Sequence, residues 1–132
     1  MKTGRETFQK SERLCSRKII ISLFDNGNVF YSKLFRIVWS KSPEAGIFPA
    51  RVAFSVPKKS FRLAVTRNLL KRRMREAYRR NKHVLYDFLN RENTGIVFVI
   101  IYKEDFVSEY REIETSVKEM IERLSVLIKE TG

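Results

Sequence analysis

Apolar residues recur at helical intervals near both ends of the chain and crowd into short strand-like runs between them. Leu14, Ile19, Ile20, Leu23 and Phe24 suit a short helix over 14–24, which Asp25-Asn26-Gly27-Asn28 ends through a glycine C-cap. Val29–Tyr31 and Leu34–Trp39 are β-rich and read as one bent or broken strand. Ser40–Pro49 holds two prolines and a glycine, which predicts a loop, and Arg51–Val56 is a short strand stopped by Pro57. A long helix is predicted over Leu63–Lys82, with His83–Asn90 as a second short helix before an Asn93-Thr94-Gly95 turn. Ile96–Tyr102 is continuously apolar, the pattern of a central strand covered on both faces. Val107, Tyr110, Ile113, Val117, Met120, Ile121, Leu124, Leu127 and Ile128 then repeat at the spacing of an amphipathic helix that packs on the sheet. Counting the broken strand as two, the order is α-β-β-β-α-β-α. That predicts an α+β two-layer sandwich forming one domain over 1–132, with the polar, aperiodic stretch 1–12 as a mobile tail.

Composition adds a partner to this scaffold. The 132 residues carry a formal net charge of +12 and a pI near 10.1, which attracts polyanions. Between Arg51 and Lys82 stand twelve basic residues and one acid, Glu76, so this stretch supplies eleven of the twelve net charges. On a helical wheel Leu63, Leu70, Met74, Ala77 and Tyr78 share an arc suited to the core. Arg67, Lys71, Arg75 and Arg79 form an i, i+4 ladder along one edge of it, with Asn68 and Arg72 beside them. Like charges so spaced repel, and phosphates relieve them. A solvated face mixes signs, and a membrane-surface helix needs its apolar arc free, so neither fits as well as a nucleic-acid contact. Arginine favours forked hydrogen bonds to phosphate and stacking on bases.

Other chemistry is sparse. Cys15 alone makes no internal disulfide, and His83 with it makes no zinc site. Glu104-Asp105 follows a strand and reads as a helix N-terminal signal. The carboxylates do not cluster as a metal-dependent protein nuclease requires. With no apolar run of membrane-spanning length and no signal-peptide core, a cytoplasmic protein without membrane contact is expected.

The segment Ser55-Val56-Pro57-Lys58-Lys59, followed by Ala64 to Tyr78 with Arg67-Asn68-Leu69-Leu70-Lys71-Arg72-Arg73-Met74-Arg75-Glu76-Ala77, closely resembles the signature of the bacterial ribonuclease P protein component. The order of elements resembles that family from about Lys10 to Lys129. The resemblance implies a fold like the second domain of ribosomal protein S5, including a left-handed β-α-β crossover that general statistics disfavour. It implies a protein subunit of an endoribonuclease that matures the 5′ end of precursor tRNA, with the catalytic RNA as partner and holder of the Mg²⁺ ions, no protein catalytic residue, and a monomer in a 1:1 complex. Carried over by position, Lys58, Lys59, Arg67, Asn68, Lys71, Arg72 and Arg75 match RNA-docking residues, and Arg79 extends the ladder. Phe24 matches an aromatic of the cleft that receives the single-stranded leader. Two further cleft positions, usually aromatic, are Ile20 and Val38, which predicts weaker stacking. Leu69 stands where the family has a second arginine and is left out of the site. The connection Ser60-Phe61-Arg62-Leu63 is one residue longer than in familiar members. The alternatives are a ribosome-associated or rRNA-binding assembly protein with the same fold, distinguished by the RNA that copurifies, and a self-sufficient protein nuclease.

Overall fold

Four strands form one sheet in the computed structural model, which describes residues 7–42 and 48–131. Helix α1 spans Arg17–Asn26, β1 Asn28–Tyr31, β2 Phe35–Lys41, β3 Ala50–Ser55, α2 Ala64–Arg91, β4 Ile96–Tyr102 and α3 Tyr110–Thr131. The strand order is β1-β2-β4-β3. Strands β1 and β2 pair antiparallel, as do β2 and β4, whereas β3 runs parallel to β4. The predicted α+β order is observed, and α2 is the crossover joining the parallel neighbours β3 and β4.

The uninterrupted apolar run of β4 has its explanation in this topology, because every residue from Ile96 to Tyr102 is buried. One face of the sheet, with Ile37, Trp39, Phe98 and Ile100, packs under α2 and α3. On the other face Val38, Val97, Val99 and Ile101 pack with Leu23 and Leu14, and α1 lies over them. The sheet and the α2/α3 layer are the two expected layers, and α1 covers part of the second face.

Several sequence expectations are corrected. The bent strand is a hairpin: Ser32 donates its N–H to the Phe35 carbonyl at 2.8 Å, and Tyr31 faces Arg36 across it. The helix expected over 14–24 begins at Arg17, where Ser16 caps it by accepting from the Ile19 N–H, while Leu14 instead donates its N–H to the Val52 carbonyl. Gly27 does end α1, but in an extended conformation. A Cβ there would lie 2.5 Å from the Leu23 carbonyl oxygen of α1's own last turn and 3.0 Å from Val38 of β2, so the tight exit from the helix against the sheet demands glycine. Helix α2 continues through His83 to Arg91, since Leu85, Phe88 and Leu89 prolong the buried stripe of Leu70, Met74, Ala77 and Tyr78. Asn93, with φ 54°, makes the left-handed turn after it. Leu63, expected in the core, is the N-cap and 68% exposed. Glu104 and Asp105 precede α3 by a loop, where Glu104 pairs with Lys103 at 3.2 Å, and the first-turn acid is Glu112.

The expected N-terminal tail is also corrected within residues 7–12; residues 1–6 lie outside the described residues. Phe8 packs edge-on against Phe54 and Tyr78. The fully buried Glu12 carboxylate accepts from Lys82 Nζ and, at 2.5 Å, from the Tyr86 hydroxyl. Lys82 also donates to the Thr7 carbonyl and sits 5.4 Å from the Tyr86 ring centroid. Two charges removed from water persist only when paired and hydrogen-bonded, and here both conditions are met.

Candidate nucleic-acid interface

The β3 end and the start of α2 set the site. Pro57 stops the strand, and Phe61, buried against the Tyr102 ring, anchors the connection to α2. Helix α2 begins with neither a capping side chain nor an acid in its first turn, so its unpaired N–H groups and positive dipole end add to the field of nearby cations. Its buried stripe turns toward the sheet and α3. The basic edge borders β3, the edge strand, where the Arg75 guanidinium stands 6.0 Å from the Phe54 ring centroid.

The predicted residues do not all serve alike. Lys58, Lys59, Asn68, Arg72 and Arg75 are exposed, and Lys71 is half-buried beside them. Asn68 to Arg75 spans about 10 Å of helix at 1.5 Å per residue, a reach of about two phosphate steps. Arg67 is turned inward: its Nη1 donates to the Phe61 carbonyl at 2.8 Å and the Arg62 carbonyl at 3.0 Å, fixing the connection that carries Lys58 and Lys59. Arg79 is forked onto Glu76 at 3.0 and 2.7 Å. That hydrogen bonding holds the Glu76 carboxyl below its ordinary value, so the acid stays ionised and offsets the arginine. Lys82 leaves the strip for the buried pair with Glu12, and Arg73 donates to the Ser108 carbonyl at 2.6 Å. The open strip therefore concentrates toward Lys58, Lys59, Asn68, Arg72 and Arg75.

The cleft residues also divide. Val38 is 0% exposed beneath α1 and cannot meet a ligand, a correction to its expected place in the cleft. Ile20 is half-buried, and Phe24 is 46% exposed with the Arg36 guanidinium 5.8 Å from its ring centroid. Sequence reasoning missed Arg36 and Tyr31. They are cross-strand partners on the α1 side of the sheet, Tyr31 is 62% exposed, and Arg36 Nε is buried without a hydrogen-bond partner. Recognising the β1–β2 hairpin would have found them, because its register puts Tyr31 opposite Arg36.

Of the remaining groups, His83 and Cys15 are exposed and lie outside both features. Among the described residues no three of His, Cys, Asp and Glu come together to hold a metal, and no helix is long and apolar enough to cross a membrane.

Comparison with known proteins identifies the family and the fold. The ribonuclease P family profile matches residues 8–125. The ribonuclease P protein component of Porphyromonas gingivalis is 34% identical over 125 residues, covering 93% of this chain and 91% of that protein. The RNase P protein of Thermotoga maritima superposes with a TM-score of 0.68 at 25% identity, covering 85% of this chain and 96% of its own. That of Staphylococcus aureus shares the fold, with a TM-score of 0.65 at 19% identity over 88% of this chain and 96% of its own. The chain belongs to the ribonuclease P protein family, as a protein component of the ribonucleoprotein endoribonuclease that partners ribonuclease P RNA.

Proposed function

We propose that the exposed strip of Lys58, Lys59, Asn68, Lys71, Arg72 and Arg75 docks on ribonuclease P RNA, while the α1 cleft of Phe24, Tyr31 and Arg36 takes the single-stranded 5′ leader of precursor tRNA. The observation that carries the reading is the local excess of cations with no acid partner among the described residues at the β3–α2 connection and along one edge of α2, at the same end of the sheet as the exposed aromatic pair on its α1 face. Two RNA molecules brought together repel through their phosphates. A fixed row of guanidinium and ammonium groups replaces diffuse cations in screening that repulsion, so less free Mg²⁺ is needed for the same assembly. Phe24 and Tyr31 offer ring faces on which unpaired bases stack, each worth about 1–3 kcal/mol. Arg36 keeps an unused donor beside them for a phosphate or base edge.

In this reading the catalytic Mg²⁺ ions belong to the RNA, and no protein side chain enters the bond-breaking step. One protein joins one RNA, and the complex works in the cytoplasm. The family assignment weighs against the rRNA-assembly alternative. Cleavage of a 5′-leadered precursor tRNA by the cognate catalytic RNA, followed across a Mg²⁺ titration, tests the proposal. The protein is expected to lower the Mg²⁺ required, and an unchanged Mg²⁺ midpoint at saturating protein would refute it.

A further inference from the structure

The N-terminal segment crosses the edge of the sheet beside the basic side of α2. A 3₁₀ turn, Lys10–Glu12, leads into Arg13, which bridges in parallel to Val52 of the edge strand β3. Arg13 stands between two buried anchors. Before it, the Glu12 carboxylate is locked to Lys82 and Tyr86 of α2. After it, Leu14 donates its N–H to the Val52 carbonyl at 2.9 Å and buries its side chain on the α1 face of the sheet. The backbone at Arg13 is therefore fixed while its side chain is exposed.

Aromatic neighbours show where that side chain lies. The Arg13 guanidinium is 5.9 Å from the Phe8 ring centroid, and the Phe8 and Phe54 rings meet edge-on at 5.9 Å. Phe54 faces Ile100 in the strand register, so it belongs to the α2/α3 face, and the Arg75 guanidinium stands 6.0 Å from its ring centroid. Arg13 and Arg75, far apart in sequence, thus flank one aromatic pair on the α2 side of the β3 edge. Neither has an ion pair among the described residues. Guanidiniums held by rings in place of carboxylates keep their charge uncompensated and their N–H donors open to an anion.

We propose that Arg13 binds a backbone phosphate of ribonuclease P RNA, so that the docking surface of α2 continues across the β3 edge onto the N-terminal segment. The inference rests on the docking proposed above for α2. The leader is not the partner, because Tyr31, paired with Arg36, lies with Phe24 on the opposite face of the sheet. The Glu12–Lys82 pair gains a second consequence: by tying the segment to α2 it holds Arg13 in line with Arg75.

Binding of the full-length protein to the cognate ribonuclease P RNA, without precursor tRNA and at several salt concentrations, tests the contact. Loss of one phosphate contact predicts that Arg13→Gln binds about fivefold more weakly at about 0.15 M salt, and that its plot of log affinity against log salt flattens by about one unit. Arg13→Lys keeps the charge and should restore the slope. Lys118→Gln removes the same charge from an exposed position on α3 and should do neither. Unchanged affinity in Arg13→Gln would overturn the proposal, as would weaker binding with an unchanged slope, which marks a structural effect. An equal loss in Lys118→Gln would assign the effect to net charge and also overturn it. So would a loss seen only with precursor tRNA that carries a leader. Arg75→Ala measured alongside separates the two readings: if it binds weakly and Arg13→Gln does not, this inference alone fails, and if neither variant weakens binding, the docking of α2 fails with it.

Discussion

Arg67 and Arg75 lie two helical turns apart on the same i, i+4 row and have different work. Arg67 satisfies the Phe61 and Arg62 carbonyls and so holds the connection between β3 and α2 in place. Arg75 is exposed over Phe54, with its guanidinium hydrogens open to a phosphate. Arg75→Ala should leave the melting temperature nearly unchanged, weaken RNA binding, and flatten the plot of log affinity against log salt by about one unit for the lost phosphate contact. Arg67→Ala should cost about 1.5 kcal/mol of stability, because two hydrogen bonds from a charged donor disappear. It should also weaken binding through displacement of Lys58 and Lys59. Thermal melts together with binding isotherms at several salt concentrations check both. Equal melting temperatures for the two variants would mean that Arg67 does not fix the connection. This difference was hidden in the sequence, where the wheel places all four basic residues on one edge and cannot tell which guanidiniums find a carbonyl or an acid in the fold.

At the scale of elements, α2 is a single 28-residue helix whose far half is tied down by the N-terminal segment. The Glu12–Lys82 pair, joined by the Tyr86 hydroxyl, is the knot. Burial raises the Tyr86 hydroxyl well above its ordinary value, so it remains a proton donor to Glu12 throughout the physiological range. Lys82→Met leaves a buried carboxylate without its cation and should destabilise the protein by about 3–5 kcal/mol. Glu12→Leu combined with Lys82→Met removes both charges and should recover much of that loss. Urea unfolding of the two single variants and the double variant measures the coupling, and strictly additive losses would show that the charges do not depend on each other. Local periodicity revealed α2, β4 and α3 because each buries a regular stripe or a whole strand. It split α2 at His83, where the change from a basic to an apolar composition resembled a boundary although the buried stripe runs on through Leu85 and Leu89. It also assigned Phe8 and Glu12 to a tail, since their partners Phe54, Tyr78 and Lys82 lie far along the chain and no local pattern records them. The β1–β2 hairpin was missed because Ser32-Lys33-Leu34 lacks the Asn-Gly or Asp-Gly signal that marks a tight turn.

For the molecule as a whole, the charge is unevenly distributed. Eleven of the twelve net positive charges fall between Arg51 and Lys82, a sum in which Glu76 beside Arg79 is already counted, and the buried pair of Glu12 with Lys82 neutralises only one more. The free protein therefore stores repulsion along the β3 edge of α2, which packing against the sheet and α3 must overcome. Added salt screens the exposed part of this repulsion, since the Debye length falls from about 30 Å at 0.01 M to about 8 Å at 0.15 M. The same salt weakens RNA binding by removing the gain from counterion release, with a slope of about −0.9 per phosphate contacted on a duplex. Stability of the free chain and its affinity for RNA should thus respond to salt with opposite signs. The melting temperature of the protein alone is expected to rise between about 0.01 M and 0.15 M monovalent salt. Over the same range its affinity for ribonuclease P RNA should fall. Bound RNA supplies phosphates in place of the salt and also stabilises by mass action, by about 2.7 kcal/mol at a hundredfold excess over Kd, so the complex should melt above the free protein, most of all at low salt. Calorimetry of protein and complex at matched salt concentrations reads both trends. A melting temperature of the free protein that falls as salt is added would show that its cations already stand in compensating pairs, leaving no stored repulsion for RNA to relieve.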